Sequence, residues 1–261
     1  MAQATLVIHN GAVIERVVEG LFAFYELCGR ASEGARTLER DGLRAAIVPA
    51  APERAVANGV VYRTAGALEE AYDEVADAYA EIGARWTVWV WPGDHEAGRF
   101  LEARGHTLDA KPVAMAHELN GLERPAADAL PEWTAEGDVS VVGPLNDRAY
   151  GFGTDSFTRA LRNVPSEGIH VYVASDDGEP VGCLLMTDHD DNSDLECVAV
   201  VPEARGRGIS GHLLGHALVD AAERGIRTST LVATALGYPV YERAGYRPFG
   251  SFEMWERPTA P

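Results

Sequence analysis

The sequence predicts an α/β protein built from two copies of one fold, and three observations support this prediction. The second half of the chain alternates strands and helices in an order typical of a mixed sheet covered by helices. The first half repeats the end of that order. Between the halves, residues 121–137 are rich in Ala, Pro and acidic residues and lack a clear period, which predicts a linker. We therefore expect domains at residues 1–120 and 138–257.

The second half supplies the elements from which the fold is predicted. The expected strands cover residues 139–142, 169–174, 181–186, 195–200, 228–232 and 249–255. The expected helices cover residues 145–163, with a break near Gly151, then 209–224 and 239–243. Apolar side chains recur at helical spacing in 209–224, and Gly225 is a typical residue just after a helix end.

An internal repeat links the two halves. Residues 100–106 align with residues 240–246, and in both places a helix, a strand and a following strand are expected at matching distances, with Met115 near the place of Met254. The first copy has Leu101 where the second has Tyr241, and Leu68 where a small residue is needed. We therefore expect the first copy to be catalytically inactive. It either shapes a substrate cleft or only covers the surface of the second copy.

Composition narrows the classes of function. The net charge of −18 opposes binding to nucleic acid or anionic membranes, and it either favours cationic partners or serves solubility alone. No stretch is apolar enough to span a bilayer, and no export signal is visible. The three cysteines lack metal-binding spacing. We expect a cytoplasmic protein, monomeric or homodimeric, without a metal.

The run from Val200 to His212 predicts an anion site. It joins an apolar strand to a helix through a glycine-rich loop. Glycines let the backbone curl, so that unpaired N–H groups at the helix start can point at one anion. Arg205 and Arg207 add positive charge, and pyrophosphate is the natural guest. The alternative is a plain strand-to-helix connection with exposed arginines. The run matches neither a P-loop nor the dinucleotide-binding glycine pattern.

Two motifs carry a resemblance to a known family. Residues 201–210 resemble motif A of the Gcn5-related N-acetyltransferases (GNAT), whose pattern is Arg/Gln-x-x-Gly-x-Gly/Ala. Arg205 and Gly208 match, and Ser210 replaces the last small residue. Residues 237–246 resemble motif B, a tyrosine followed by a Glu/Arg-rich turn and Gly-Tyr. The resemblance implies an α/β (α+β) fold of two GNAT-like domains, each a mixed, mostly antiparallel sheet flanked by helices. The first domain is similar to the degenerate first domain of tandem bacterial members.

The resemblance also implies which residues bind acetyl-coenzyme A (acetyl-CoA). The loop would hold the pyrophosphate, and the backbone of the preceding strand would hold the pantetheine arm. Thr234 stands where the family often has asparagine. The expected cofactor-binding residues are Val198, Ala199, Val200, Arg205, Gly206, Arg207, Gly208, Ile209, Ser210, Thr234 and Tyr238.

Three side chains are expected to perform the chemistry. Tyr241 is the candidate acid that protonates the departing thiolate, or else it is a packing tyrosine. Glu196 and Asp194 are two residues apart on one strand, so both face one side, and either is a candidate base. Glu196 is preferred because it lies deeper in the strand. Their alternative is a solvated acidic strand end. The acidic run 188–194 is interpreted as a hairpin tip, although it could also attract a cationic substrate or bind a cation.

The predicted function is direct transfer of acetyl from acetyl-CoA to an amine of a small, cationic molecule. One alternative keeps the fold but changes the acyl group or the acceptor. The other is a non-catalytic coenzyme A-binding sensor.

Overall fold

The computed structural model describes residues 10–126, 132–135, 137–153, 155–165 and 168–259. Within these ranges, the first half of the chain forms three helices and six strands. They are α1 (Asn10–Cys28), β1 (Arg36–Arg40), β2 (Leu43–Ile47), β3 (Gly59–Tyr62), α2 (Ala65–Glu81), β4 (Trp86–Val90), α3 (His95–Glu102), β5 (Thr107–Ala110) and β6 (Val113–Glu118). No helix in the described ranges is long and apolar enough to cross a membrane.

The second half forms the remaining described elements, which follow the predicted order closely. They are β7 (Glu132–Thr134), α4 (Val142–Tyr150), α5 (Ser156–Ala160), β8 (Ile169–Asp176), β9 (Glu179–His189), β10 (Asn192–Val200), α6 (Ile209–Glu223), β11 (Thr228–Ala233), α7 (Tyr238–Arg243), β12 (Arg247–Ser251) and β13 (Glu253–Arg257). The α/β fold class is confirmed.

Two mixed sheets organise these elements. The six-stranded sheet has the order β1-β2-β3-β4-β13-β5, and with α2 and α3 it forms what we call the first domain. The seven-stranded sheet has the order β12-β6-β11-β10-β9-β8-β7, and with α4 to α7 it forms the second domain. Parallel pairing occurs between β3 and β4 and between β10 and β11, while the other pairs are antiparallel. Both sheets are therefore mixed and mostly antiparallel, as expected.

The two halves of the chain exchange a strand. β6 belongs to the first half but lies between β11 and β12, with Met115 opposite Leu231. β13 belongs to the second half but lies between β4 and β5, with Met254 opposite Trp89. The two methionines that the repeat aligns thus take equivalent places, each in the sheet of the other half. The sheets therefore do not follow the predicted division of the chain at residues 121–137.

Helix α1 joins the domains, and none of the sequence patterns above predicts it. It contacts β2 and β3 of the first sheet and β10 and β11 of the second. A Cβ atom on Gly20 would lie 2.2 Å from Cγ of Asp194, so only glycine fits at this approach. The first sheet is apolar on both faces. Val61 faces the core shared with α1, while Val60 and Tyr62 face the core under α2.

Three segments differ from the sequence prediction. Residues 139–141, expected as a strand, form a 3-10 turn that leads into α4, and the Asp138 side chain caps this turn by accepting from the Ser140 N–H. The expected last strand, 249–255, is two strands that enter different sheets. The expected linker contains β7, which pairs with β8. Residues 127–131 and 136 of that linker lie outside the described residues.

Candidate active site

A cavity of about 680 Å³ opens where β10 and β11 separate. The two strands pair in parallel at three positions, the last being Asp194 opposite Thr230. Beyond this pair β10 runs on to Val200 and β11 to Ala233 without further pairing to each other. The backbone of β10 beyond Asp194 thus has an edge that β11 does not cover. Such an edge can pair with an extended ligand.

A β-bulge shapes the wall of the cavity. The register between β9 and β10 shifts between Glu196 and Ala199, and Cys197 has a positive φ of 52°. A bulge bends its strand and changes the direction of its side chains. The Cys183 thiol donates to the Cys197 carbonyl (3.7 Å), and the Tyr150 hydroxyl lies 3.5 Å from the Val198 carbonyl oxygen. The bulge therefore lies on the stretch of β10 that β11 leaves uncovered, in the wall of the cavity.

The glycine-rich loop ends at an uncapped helix. Gly206 and Gly208 have φ values of 77° and 78°, a conformation that favours glycine. Gly208 is the N-cap of α6, and no side chain caps this end. The N–H of His212 makes the first backbone bond of the helix, to the Gly208 carbonyl (3.0 Å). The N–H groups before it have no acceptor within the helix, so they remain free to bind an anion.

The side chains of the two loop arginines are engaged with other groups of the protein. The Arg205 guanidinium donates to the carbonyls of Val200 (3.2 Å) and Ala149, so it ties the loop to the end of α4. Arg207 pairs with Asp176 at 2.7 Å on the surface and does not line the cavity. The charge expected from these side chains is thus engaged within the protein. The backbone and the helix dipole are the features left to hold an anion.

Most of the predicted site residues line the cavity. Arg207 does not, and neither does Tyr238 in the first turn of α7. Thr234 lines the cavity, and its hydroxyl accepts from the Gly237 N–H (3.2 Å). The predicted residues in the lining are Asp194, Glu196, Val198, Ala199, Val200, Arg205, Gly206, Gly208, Ile209, Ser210, Thr234 and Tyr241.

Tyr241 presents its phenol to the cavity from α7. Its ring packs on Gly237, where a Cβ atom would lie 2.8 Å from the ring, and lies edge-on to Tyr246 with ring centres 6.0 Å apart. The hydroxyl makes no hydrogen bond to another described residue. Burial raises the pKa of Tyr241, so the phenol stays protonated at neutral pH and is available as a proton donor.

The two candidate bases differ in their surroundings. The Asp194 carboxylate accepts from the Thr230 hydroxyl and from Asn192 Nδ2, and it contacts His189 Nε2. Glu196 also lines the cavity, but its buried Oε2 has no hydrogen-bond partner among the described residues. Burial raises the pKa of both carboxyl groups. Asp194 is therefore held in a polar network, whereas one oxygen of Glu196 is left without a partner among the described residues.

The acidic run 188–194 forms the hairpin tip between β9 and β10, with Asp190 at a φ of 51°. Arginines engage its carboxylates. Asp188 pairs with Arg224 at 2.7 Å, and Asp191 pairs with Arg16 and Arg227. These ion pairs favour the structural interpretation of this run over a role in attracting substrate.

Several residues of the cavity were not among the predicted site residues. Tyr150 and Phe152 stand at its mouth and are 43% and 38% exposed. Their position beside the predicted helix break near Gly151 was a usable hint, since exposed aromatics often mark binding surfaces. The first half of the chain supplies another part of the wall, and only its packing against the second half brings it there. Those residues include Phe24, Glu53, Arg54, Arg85 and Asp109.

Comparison with known proteins agrees with this geometry. Residues 167–248 match the family model described as an acetyltransferase (GNAT) domain. A search of curated proteins finds no match. Many solved structures share the fold at low sequence identity.

Three solved structures illustrate the likeness across nearly the whole chain. A GCN5-related N-acetyltransferase from Kribbella flavida is 15% identical, with 94% of this chain and 95% of that chain covered and a TM-score of 0.63. One from Sphaerobacter thermophilus is 20% identical, covers 95% and 92%, and has a TM-score of 0.59. A tandem GNAT protein from the clavulanic acid biosynthesis pathway is 14% identical, covers 95% and 96%, and has a TM-score of 0.58. The likeness therefore extends over both domains.

Proposed function

Because residues 167–248 form a GNAT-type acetyltransferase domain, we propose that this protein transfers the acetyl group of acetyl-CoA directly to an amine of a small molecule. One observation carries the proposal. A single cavity connects the uncapped start of α6, the open edge of β10, the Tyr241 phenol and the unpaired Glu196 carboxylate. These features must lie within the length of one bound ligand, because that ligand has to bind through its anionic group and its thioester while protons are transferred.

The backbone supports binding of acetyl-CoA. The N–H groups from Gly208 to Ser210 suit the pyrophosphate, since a helix start is positive and its first N–H groups are unpaired. A Cβ atom at Gly206 or Gly208 would meet no other atom within 4 Å, which leaves room for a phosphate beside the loop. The free edge of β10 around Val198 and Val200 suits the amides of the pantetheine arm. Arg205 acts by fixing the loop to α4.

The chemistry requires proton transfers at the nitrogen and at the sulfur. Glu196 takes a proton from the incoming ammonium group, and the nitrogen of the resulting amine bonds to the carbonyl carbon of the thioester. The carbon–sulfur bond breaks, Tyr241 gives its proton to the sulfur, and the Tyr241 phenolate takes the extra proton from the nitrogen of the new amide. The raised pKa of Tyr241 keeps the donor protonated, and the raised pKa of Glu196 strengthens it as a base. The net charge of −18 favours approach of the protonated amine, a cation in water.

The test measures release of coenzyme A with panels of amines and alcohols. We expect turnover with at least one amine, and kcat/KM should rise with pH through a pKa above the usual 4.5 of glutamate, because Glu196 must lose its proton to act. Glu196→Gln should lower kcat and remove this rise. Turnover on alcohols alone would refute the proposed acceptor. Tight binding of acetyl-CoA without turnover on any panel would favour a coenzyme A-binding sensor.

A further inference from the structure

We propose that Arg54 binds a carboxylate of the acceptor, so that the acceptor is an amine that also carries a carboxylate, as amino acids do. This inference rests on the proposed function and specifies the substrate class of the same site. It concerns a residue of the first half of the chain, which no sequence motif marks.

Arg54 brings an unpaired cation to the cavity wall. Its guanidinium lies 3.4 Å from the ring centre of Phe152 and 5.3 Å from that of Phe157. Both aromatic residues also line the cavity. Its buried Nε has no hydrogen-bond partner, and the guanidinium forms no ion pair with any residue in the described ranges. Stacking on an aromatic ring orients the planar group but leaves its edge donors available.

The other arginines that line the cavity differ from Arg54 because each is held by groups of the protein. Arg85 lines the cavity but is held by Glu256, and Arg205 is held by backbone carbonyls. Glu53, the neighbour of Arg54, pairs with Arg159. A half-buried arginine without such a partner is costly, and burial lowers the pKa of Arg54. An anionic ligand group would remove this cost.

Asp147 is the carboxylate that acts most strongly on Arg54, yet its hydrogen-bonding capacity is used elsewhere. It accepts from the backbone N–H groups of Phe157 (3.0 Å) and Thr158 (2.8 Å) and from the Thr158 hydroxyl (2.8 Å). Asp147 therefore stabilises the start of α5 and makes no hydrogen bond to the guanidinium. The charge of Asp147 acts on Arg54, but Asp147 accepts no hydrogen bond from the N–H donors of Arg54.

The loop that carries Arg54 is held in place before any ligand arrives. Asn58 is fully buried; its Oδ1 accepts from the Val48 N–H (2.8 Å), and its Nδ2 donates to the carbonyls of Ala51 (2.9 Å) and Arg54 (3.3 Å). These bonds bridge the loop between β2 and β3. A preorganised arginine gives more binding free energy and specificity than a mobile one.

Arg54 lies near the bulge of β10. It stacks on Phe152, which follows two residues after Tyr150, and the Tyr150 hydroxyl lies 3.5 Å from the Val198 carbonyl oxygen in the bulge. The uncapped start of α6 follows the loop after Val200, further along the chain than the bulge. This position favours a carboxylate of the acceptor over a phosphate of coenzyme A. A zwitterion would place its amine at Glu196 and its carboxylate at Arg54.

The experiment uses matched pairs of acceptors, each an amino acid and its primary amide, such as glycine with glycinamide and 4-aminobutyrate with its amide. The wild-type protein should prefer the acid of its best pair by about 30-fold or more in kcat/KM, as expected for a charge-assisted bidentate contact. Arg54→Met should reduce this preference to within about threefold while the amide is still used. The KM for acetyl-CoA should not change. Arg54→Lys should give an intermediate preference.

Arg63→Met is the matched control. Arg63 also stacks on a phenylalanine, with its guanidinium 4.5 Å from the ring centre of Phe22, but it pairs with Glu19 and does not line the cavity. This variant should keep the wild-type preference for acids. An unchanged preference in Arg54→Met, a wild-type preference for amides or polyamines, or a raised KM for acetyl-CoA in Arg54→Met would overturn the inference while leaving acetyl transfer intact. No turnover on any amine would overturn both proposals together.

Discussion

The two domains begin their equivalent helices in opposite ways. In the first domain Thr64 is the N-cap of α2, with an extended φ of −139°, and its hydroxyl accepts from the Ala67 N–H (3.3 Å). In the second domain Gly208 takes this place with a φ of 78°, and no side chain caps α6. One helix start is satisfied by its own chain, while the other is left for a ligand.

The space between the central parallel strands is filled in the first domain and open in the second. In the first domain the Trp91 indole donates to the Tyr62 carbonyl at the end of β3 (2.7 Å), and the Tyr62 hydroxyl donates to Asp94 (2.8 Å). Leu101, which the repeat aligns with Tyr241, is fully buried. In the second domain the corresponding region is the cavity. The same topology thus gives a filled structural copy and an open one, and the difference lies in a few side chains.

Blocking the open helix start should have the largest effect. Gly208→Trp forces an unfavourable φ and places an indole over the proposed pyrophosphate site, so acetyl-CoA binding measured by calorimetry should weaken by about 100-fold or more. Gly66→Trp is the control, because Gly66 is an exposed residue in the first turn of α2 with open space around it. It should leave binding unchanged. Equal losses of acetyl-CoA affinity in the two variants would show that the two helix starts do not differ in binding.

Removing the phenol should affect the chemical step next. Tyr241→Phe retains the ring that packs on Gly237 but removes the proton donor. We expect kcat to fall about 100-fold while the dissociation constant for acetyl-CoA changes by less than about threefold. Steady-state kinetics and calorimetry together separate the two quantities. A wild-type kcat in this variant would show that Tyr241 is only a packing residue, as Leu101 is in the first domain.

The elements of the second domain that hold the site were predictable from sequence because they depend on short-range signals. Glycines at the start of α6, its helical period and the Gly-Tyr ending of the 237–246 motif act within a few residues. The strand exchange and Arg54 were not predictable, since both depend on contacts between distant segments. The contacts of the two loop arginines were not predictable for the same reason. The chain gives no sign that Asp176 lies beside Arg207 or that the Ala149 carbonyl lies beside Arg205.

One histidine of the first domain makes the free energy of unfolding depend on pH. His106, aligned with Tyr246 in the second domain, is 2% exposed and bonds to Tyr72 and to the Trp255 carbonyl of β13. Burial lowers the pKa of His106 from 6.5 to about 4. As pH falls, His106 therefore takes up its proton at a higher pH in the unfolded chain than in the folded protein. The contribution of His106 to stability is complete above pH 6.5 and decreases by about 3 kcal/mol down to about pH 4.

Denaturant unfolding at a series of pH values measures this effect. His106→Asn retains a polar side chain that does not titrate, so the free energy of unfolding of the variant should depend less on pH between 6.5 and 4 than that of the wild type. If the two pH profiles ran in parallel, His106 would not be the group whose protonation destabilises the first domain.

Opening the closed helix start should have the smallest effect. Thr64→Ala removes the hydroxyl that caps α2, and the free energy of unfolding should fall by about 1 kcal/mol. Calorimetry should still give one acetyl-CoA per chain, because Leu68 and Trp91 keep the first domain filled. A second binding site in this variant would show that the cap alone separates the two domains.

A crystal structure of the protein soaked with acetyl-CoA tests the central claim most directly. We predict density for the pyrophosphate within hydrogen-bonding distance of the N–H groups from Gly208 to Ser210, with the thioester sulfur beside the Tyr241 hydroxyl. Density at the start of α2 instead, or a pyrophosphate held by the Arg207 side chain away from the cavity, would contradict the account.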